Sequence, residues 1–86
     1  MSSLQECAAQ LNQLSENLPF GAVAHLGTEL DNVTGQAMKI VQGTGHEQSI
    51  GQIQGMKEQL TQQLMESLGL IRASLQQTAS AIIAGR

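Results

Sequence analysis

Tryptophan and tyrosine are absent from this chain of 86 residues, and Phe20 is its single aromatic side chain. Large rings supply much of the buried area of small domains and anchor many tight interfaces, so a ring-centred core and a base-stacking surface are both excluded. Cysteine occurs once, at Cys7, which rules out an internal disulfide and leaves a small apolar side chain as the simplest reading of it. Charge is scarce as well, at 13% of residues against roughly 25% in ordinary proteins. The four basic residues, Lys39, Lys57, Arg72 and Arg86, stand singly among seven acids, for a net charge of −3. No basic stripe is present to neutralise phosphates, which argues against nucleic acid or an anionic membrane surface as partner.

Long hydrophobic runs are missing too. The longest are stretches such as Ala81-Ile82-Ile83-Ala84, far short of the roughly 20 residues that cross a bilayer, so no membrane span is expected. The opening residues Met1-Ser2-Ser3-Leu4-Gln5-Glu6 carry neither the basic nor the apolar part of a secretory signal peptide. The expected location is the cytoplasm as synthesised, with export, if any, by a route that needs no such peptide.

What the sequence does have is aliphatic side chains at helical spacing and a surface of uncharged polar residues, thirteen of them Gln. Leu4, Cys7, Leu11, Leu14 and Leu18 recur at intervals of three and four, and Ser3 with Glu6 has the spacing of a capping box, which predicts a helix over about 3–18. Pro19 lacks an amide hydrogen and disfavours helical geometry at Leu18, so a kink or short loop is expected at 18–21. The stripe resumes as Leu26, Leu30, Val33, Ala37 and Ile40, predicting a second helix over about 22–42.

Gly43-Thr44-Gly45-His46-Glu47 interrupts the pattern at the midpoint of the chain. The glycines offer left-handed backbone, and Thr44 with Glu47 repeats the capping-box spacing, so Gly43, Thr44, Gly45 and Glu47 are expected to form a tight reversal. A third helix over about 46–84 follows, with Ile50, Ile53, Leu60, Leu64, Leu68, Ile71, Leu75, Ala79 and Ile82 on one face. The fold class is therefore all-α: one antiparallel helical-hairpin domain over 1–86, broken near 18–21 and pairing into a four-helix bundle. Within it, Gly51-Gln52-Ile53-Gln54-Gly55 places two glycines one turn apart, suited either to close helix packing or to local flexibility.

Chemistry is hard to find. His25, His46 and Cys7 share no metal-ligand spacing, and Glu29 and Asp31, two residues apart, point to different sides of a helix. A helical hairpin has no concave pocket for a nucleophile and its base. The expectation is a non-enzyme with no catalytic residue, no metal and no cofactor.

Two amphipathic halves meeting at a glycine-containing turn, in a chain of this size, resemble the WXG family of small Esx-like proteins exported by type VII secretion systems. The segment Gln42-Gly43-Thr44-Gly45 holds the glycine of that family's Trp-x-Gly turn without its tryptophan, and the chain has no Tyr for the family's C-terminal export signal. The resemblance implies a dimeric hairpin, often made beside a larger partner protein.

A small hairpin also has little stability to spare, and pairing covers apolar seams that a lone hairpin leaves wet. The expected partner is a second hairpin, as homodimer or as heterodimer with a related chain. The residues expected at that interface are Leu26, Leu30, Val33 and Ile40 with Leu60, Leu64, Leu68, Ile71 and Leu75, each equally suited to face its own hairpin. Two other readings stand beside it. One is a coiled-coil structural or scaffold subunit forming higher oligomers, and the other is an adaptor using Met38, Met56 and Met65 as an adaptable groove.

Overall fold

The computed structural model describes residues 3–85, and every regular element among them is an α-helix. Helix α1 spans Leu4–Glu16, α2 Phe20–Val41 and α3 Glu47–Ile83. Ser3 caps α1 in extended backbone conformation, its Oγ accepting from the Glu6 amide at 3.1 Å. The break before α2 falls where Pro19 withholds a hydrogen-bond donor, and the chain is helical again from Phe20, slightly earlier than the spacing of the aliphatic residues suggests.

The reversal between α2 and α3 uses Gly43 at φ 82° and Gly45 at φ 84°, a backbone region that costs other residues roughly 1–2 kcal/mol. The Gly43 amide donates to Glu47 Oε1 at 2.7 Å. Thr44 Oγ1 donates to the Val41 carbonyl and accepts from the His46 amide, so the hydroxyl ties the end of α2 to the residue before α3. The capping-box spacing of Thr44 and Glu47 is thus used differently from expectation. The threonine bonds within the turn, and the glutamate reaches one residue further back, to Gly43.

Two compact units share these helices. One is Phe20–Met65, which holds α2, the turn and the first part of α3; the other comprises the chain up to Pro19 and from Glu66 onward. In the Phe20–Met65 unit the helices run antiparallel, because Thr34 meets Gln54 while the earlier Asp31 meets the later Lys57. The inner face of α2 is Val23, Gly27, Leu30, Thr34, Ala37 and Val41, spaced alternately four and three. The facing residues of α3 are Glu47, Ile50, Gln54, Lys57, Thr61 and Leu64.

This inner face divides the aliphatic stripes read from the sequence into two sets. Leu30 and Ala37 belong to it, but Leu26, Val33 and Ile40 stand one residue out of it and remain exposed, as do Ile53 and Leu60 on α3. Small and polar side chains such as Gly27, Thr34, Gln54, Lys57 and Thr61 share the seam with Val23, Leu30, Val41, Ile50 and Leu64. A methyl group built on Gly27 would lie 3.7 Å from Thr61 Cγ2, an ordinary van der Waals contact.

The other unit also packs on small residues. Ala8, Ser15 and Ala79 are buried there, and Ser15 Oγ satisfies itself by donating to the Asn12 carbonyl at 2.6 Å. Cys7 is half-buried with a free thiol. Leu11, Leu18, Leu68, Leu75 and Ile82 are half-buried as well, whereas Leu14, Leu70 and Ile71 face solvent.

Gly51 and Gly55 touch nothing with which an added methyl group would collide, so their pairing one turn apart serves no close contact within the chain. Gly51→Ala and Gly55→Ala are each expected to stabilise the protein by about 1 kcal/mol, because alanine restricts the unfolded helix segment at no steric cost. Gly43→Ala is expected to destabilise it by about 1–2 kcal/mol. Urea unfolding followed by far-UV circular dichroism measures all three.

Candidate interaction surface

Helix geometry sorts the surface of the Phe20–Met65 unit into two unlike edges. Ala24, Asp31 and Met38 each follow an inward residue of α2 by one position, and Gly51, Glu58 and Met65 do the same on α3. In an antiparallel pair these sets lie on the same side of the seam. Two clefts mark that side. One of about 390 Å³ is lined by Val23, Ala24, Gly27, Glu58, Thr61, Gln62 and Met65. The other, of about 330 Å³, is lined by Thr34, Gly35, Met38, Ile50, Gly51 and Gln54.

Between the clefts runs a polar cluster. Thr34 Oγ1 shares its hydrogen between the Asp31 carbonyl at 3.0 Å and Gln54 Oε1 at 2.8 Å. Gln54 Nε2 donates to Asp31 Oδ1 at 3.0 Å, and Lys57 Nζ approaches the same oxygen to 2.8 Å. The lysine side chain is only 13% exposed, so its aliphatic stem is packed while its head reaches the carboxylate. The Lys57 ammonium, helped by the Gln54 amide, holds the Asp31 carboxyl below the usual carboxylate range. Glu47 is held low by backbone amides, first its own at the start of α3 and then that of Gly43 in the turn.

The opposite edge is aliphatic. Leu26, Val33 and Ile40 recur every seven residues on α2, each one position before a seam residue, and Ile53 and Leu60 hold the equivalent positions on α3. Met56 extends the patch outward by a turn. Exposure rises along α2 from 37% at Leu26 through 58% at Val33 to 79% at Ile40. The residues expected at a partner interface are therefore of two kinds. Leu26, Val33, Ile40, Leu60 and Ile71 face solvent, whereas Leu30, Leu64, Leu68 and Leu75 are half-buried within their own units.

Other candidate residues do not converge. Met38 and Met65 line different clefts and Met56 lies by the aliphatic edge, so the three methionines do not line one groove. His25 sits 3.7 Å from Glu29, one turn away on the exposed surface of α2. Among the described residues no three His, Cys, Asp or Glu side chains group as a metal ion would require. Likewise, no helix among them is long and apolar enough to cross a membrane. Comparison with protein-family models, with curated proteins and with solved structures finds no match.

The polar cluster and the turn give a pH dependence of defined sign. Asp31 and Glu47 both have carboxyl groups that titrate lower in the folded chain than in the unfolded one. Their stabilisation is complete above the ordinary values of 3.8 and 4.5 and is lost as pH falls below these toward the lowered folded values. Thermal melting is expected to shift downward across that window. Asp31→Asn combined with Glu47→Gln should flatten the dependence and lower stability at neutral pH, as differential scanning calorimetry across a pH series would register.

Proposed function

We propose that this chain is a non-catalytic helical-hairpin protein whose work is association, its exposed aliphatic edge being covered by a second helical chain. One observation carries the reading. Ala8, Val23 and Ala79 are the only buried hydrophobic residues among those described, while thirteen large ones, from Leu4 to Ile83, are exposed. Isolated apolar side chains on a surface are ordinary, but contiguous patches rimmed by polar residues mark interaction sites. Here the exposed residues recur at seven-residue intervals on both helices, as Leu26, Val33 and Ile40 and as Ile53 and Leu60.

Covering that edge with another hairpin, identical or related, would create a four-helix bundle and move the large aliphatic side chains into a core. The resemblance to WXG proteins extends the proposal. Such a dimer would be made in the cytoplasm and either be exported through a type VII route or act as chaperone or adaptor for a larger exported polypeptide.

A second reading, a scaffold subunit forming higher oligomers, draws on the other unit. Leu14, Leu70 and Ile71 are exposed there, with Leu70 at 73%, and could support further contacts. Growth of the assembly with concentration beyond two copies would favour it.

Capture of the tagged chain from its native cell tests the association reading, with Val33→Glu and Leu60→Glu copies as controls. The wild type is expected to retain a specific helical partner, itself or another chain, that both variants lose. Equal recovery by all three would refute association through this edge. Export is tested separately by assaying the culture medium for the tagged chain with and without the secretion ATPase.

A further inference from the structure

Helix α2 carries two interleaved stripes, and only one of them fills the seam. We propose that α2 has a second seating on α3, reached by turning about 50° on its own axis, in which Leu26, Val33 and Ile40 enter the chain's own seam in place of Gly27, Thr34 and Val41. The cluster of Thr34, Gln54, Asp31 and Lys57 is the latch that holds the seating of the structure.

The angle follows from the spacing of the residues. The two stripes share Leu30 and Ala37, and their other members differ by one position, which is about 100° around a helix. Exchanging the stripes therefore takes half that step. A leucine replaces a glycine and a valine replaces a threonine, while Ile40 for Val41 is a near-even exchange. Aliphatic surface leaves water as a result, and that gain drives the turn.

The facing helix has matching side chains in place. Gly27 stands opposite Thr61, Asp31 opposite Lys57 and Thr34 opposite Gln54, a single register along the pair. At that register Thr28 is level with Leu60, Gly35 with Ile53 and Met38 with Ile50. Leu26, Val33 and Ile40 each lie two residues from one of these levels, about 3 Å along the axis. One turn of α2 thus brings each of the three beside an aliphatic partner.

Of the two helices, α2 is the one jointed at both ends. Pro19 breaks the chain before Phe20, and Gly43 and Gly45 form the reversal after Val41. Helix α3 has no such joints, since it runs without interruption into the other unit. Gly27 presents no side chain to α3, so nothing interlocks at that position.

Polar groups oppose the turn. Thr34 keeps a partner on leaving the seam, because its hydroxyl also bonds the Asp31 carbonyl on its own helix. Asp31 is carried away from Gln54 Nε2 and Lys57 Nζ, and both must then be hydrated at the margin of the seam. Through this latch the chain itself sets whether its aliphatic edge faces water or is folded away, whether or not a second chain covers it.

Thiol labelling tests the second seating. In a Cys7→Ala background, Val33→Cys and Thr34→Cys are labelled separately with an aqueous thiol reagent, with and without the unlatching pair Asp31→Ala and Gln54→Ala. Without unlatching, Val33→Cys reacts quickly and Thr34→Cys slowly, as exposed and buried positions do. Unlatching is expected to slow Val33→Cys and speed Thr34→Cys, each by more than about threefold, at unchanged helical circular dichroism and at every protein concentration. Rates that both rise or both stay the same overturn the proposal. So does a slowing of Val33→Cys that grows with concentration and leaves Thr34→Cys buried, since that marks a covering partner. Should the double variant lose its helicity, Asp31→Ala alone, at an exposed position, is expected to give the same opposed movement at smaller amplitude, and its absence refutes the second seating equally.

Discussion

The hydrogen-bonded cluster of Thr34, Gln54, Asp31 and Lys57 fixes the register of the two helices in the Phe20–Met65 unit, and the character of the surface follows from that register. Polar side chains in a helical seam stabilise little on balance, because much of what they gain from one another is lost by leaving water. They are selective, however. Sliding one helix past the other by a residue would break Thr34 from Gln54 and Lys57 from Asp31 together, whereas aliphatic side chains tolerate such slippage. With the seam assigned to Gly27, Thr34 and Thr61, the neighbouring Leu26, Val33 and Leu60 are left outside it.

That arrangement reverses the usual economy of a small helical protein. Bulky side chains ordinarily fill the inside and small polar ones cover the outside. In this chain the small residues Ala8, Ser15, Gly27, Ala37 and Ala79 share the helix contacts with half-buried leucines such as Leu30, Leu64, Leu68 and Leu75, while further isoleucines, leucines and methionines line an outer edge. Contacts made by such small side chains remove little apolar surface from water. A protein with so modest an interior gains stability most readily by adding another layer, which ties its folding to its association.

Much of the fold is legible in the sequence for local reasons. Helix starts and stops depend on residues within a few positions of each other, as with Ser3 and Glu6, Pro19, and the glycines at 43 and 45. The seam is less legible because two stripes of equal periodicity lie side by side on α2. One passes through Val23, Gly27, Leu30, Thr34, Ala37 and Val41, the other through Leu26, Leu30, Val33, Ala37 and Ile40, and they share Leu30 and Ala37. Side-chain size favours the second as the interior. What decides for the first is a partner on another helix, Gln54 reaching Thr34 from twenty positions away, and a single helix holds no record of that. The candidate surface inherits the same ambiguity: its residues can be named from the pattern, but which way they face depends on the cross-helix bonds.

The helix Glu47–Ile83 lends its beginning to one unit and its end to the other without a break at Met65 and Glu66. Shared backbone makes the two units thermodynamic dependants. Unwinding that starts in either must cross the join by breaking consecutive hydrogen bonds of one continuous ladder, and each turn lost removes the scaffold on which the neighbouring unit is built. Heat would thus be met by one joint transition instead of two successive ones, and a ligand that steadied either end would raise the melting point of the whole chain.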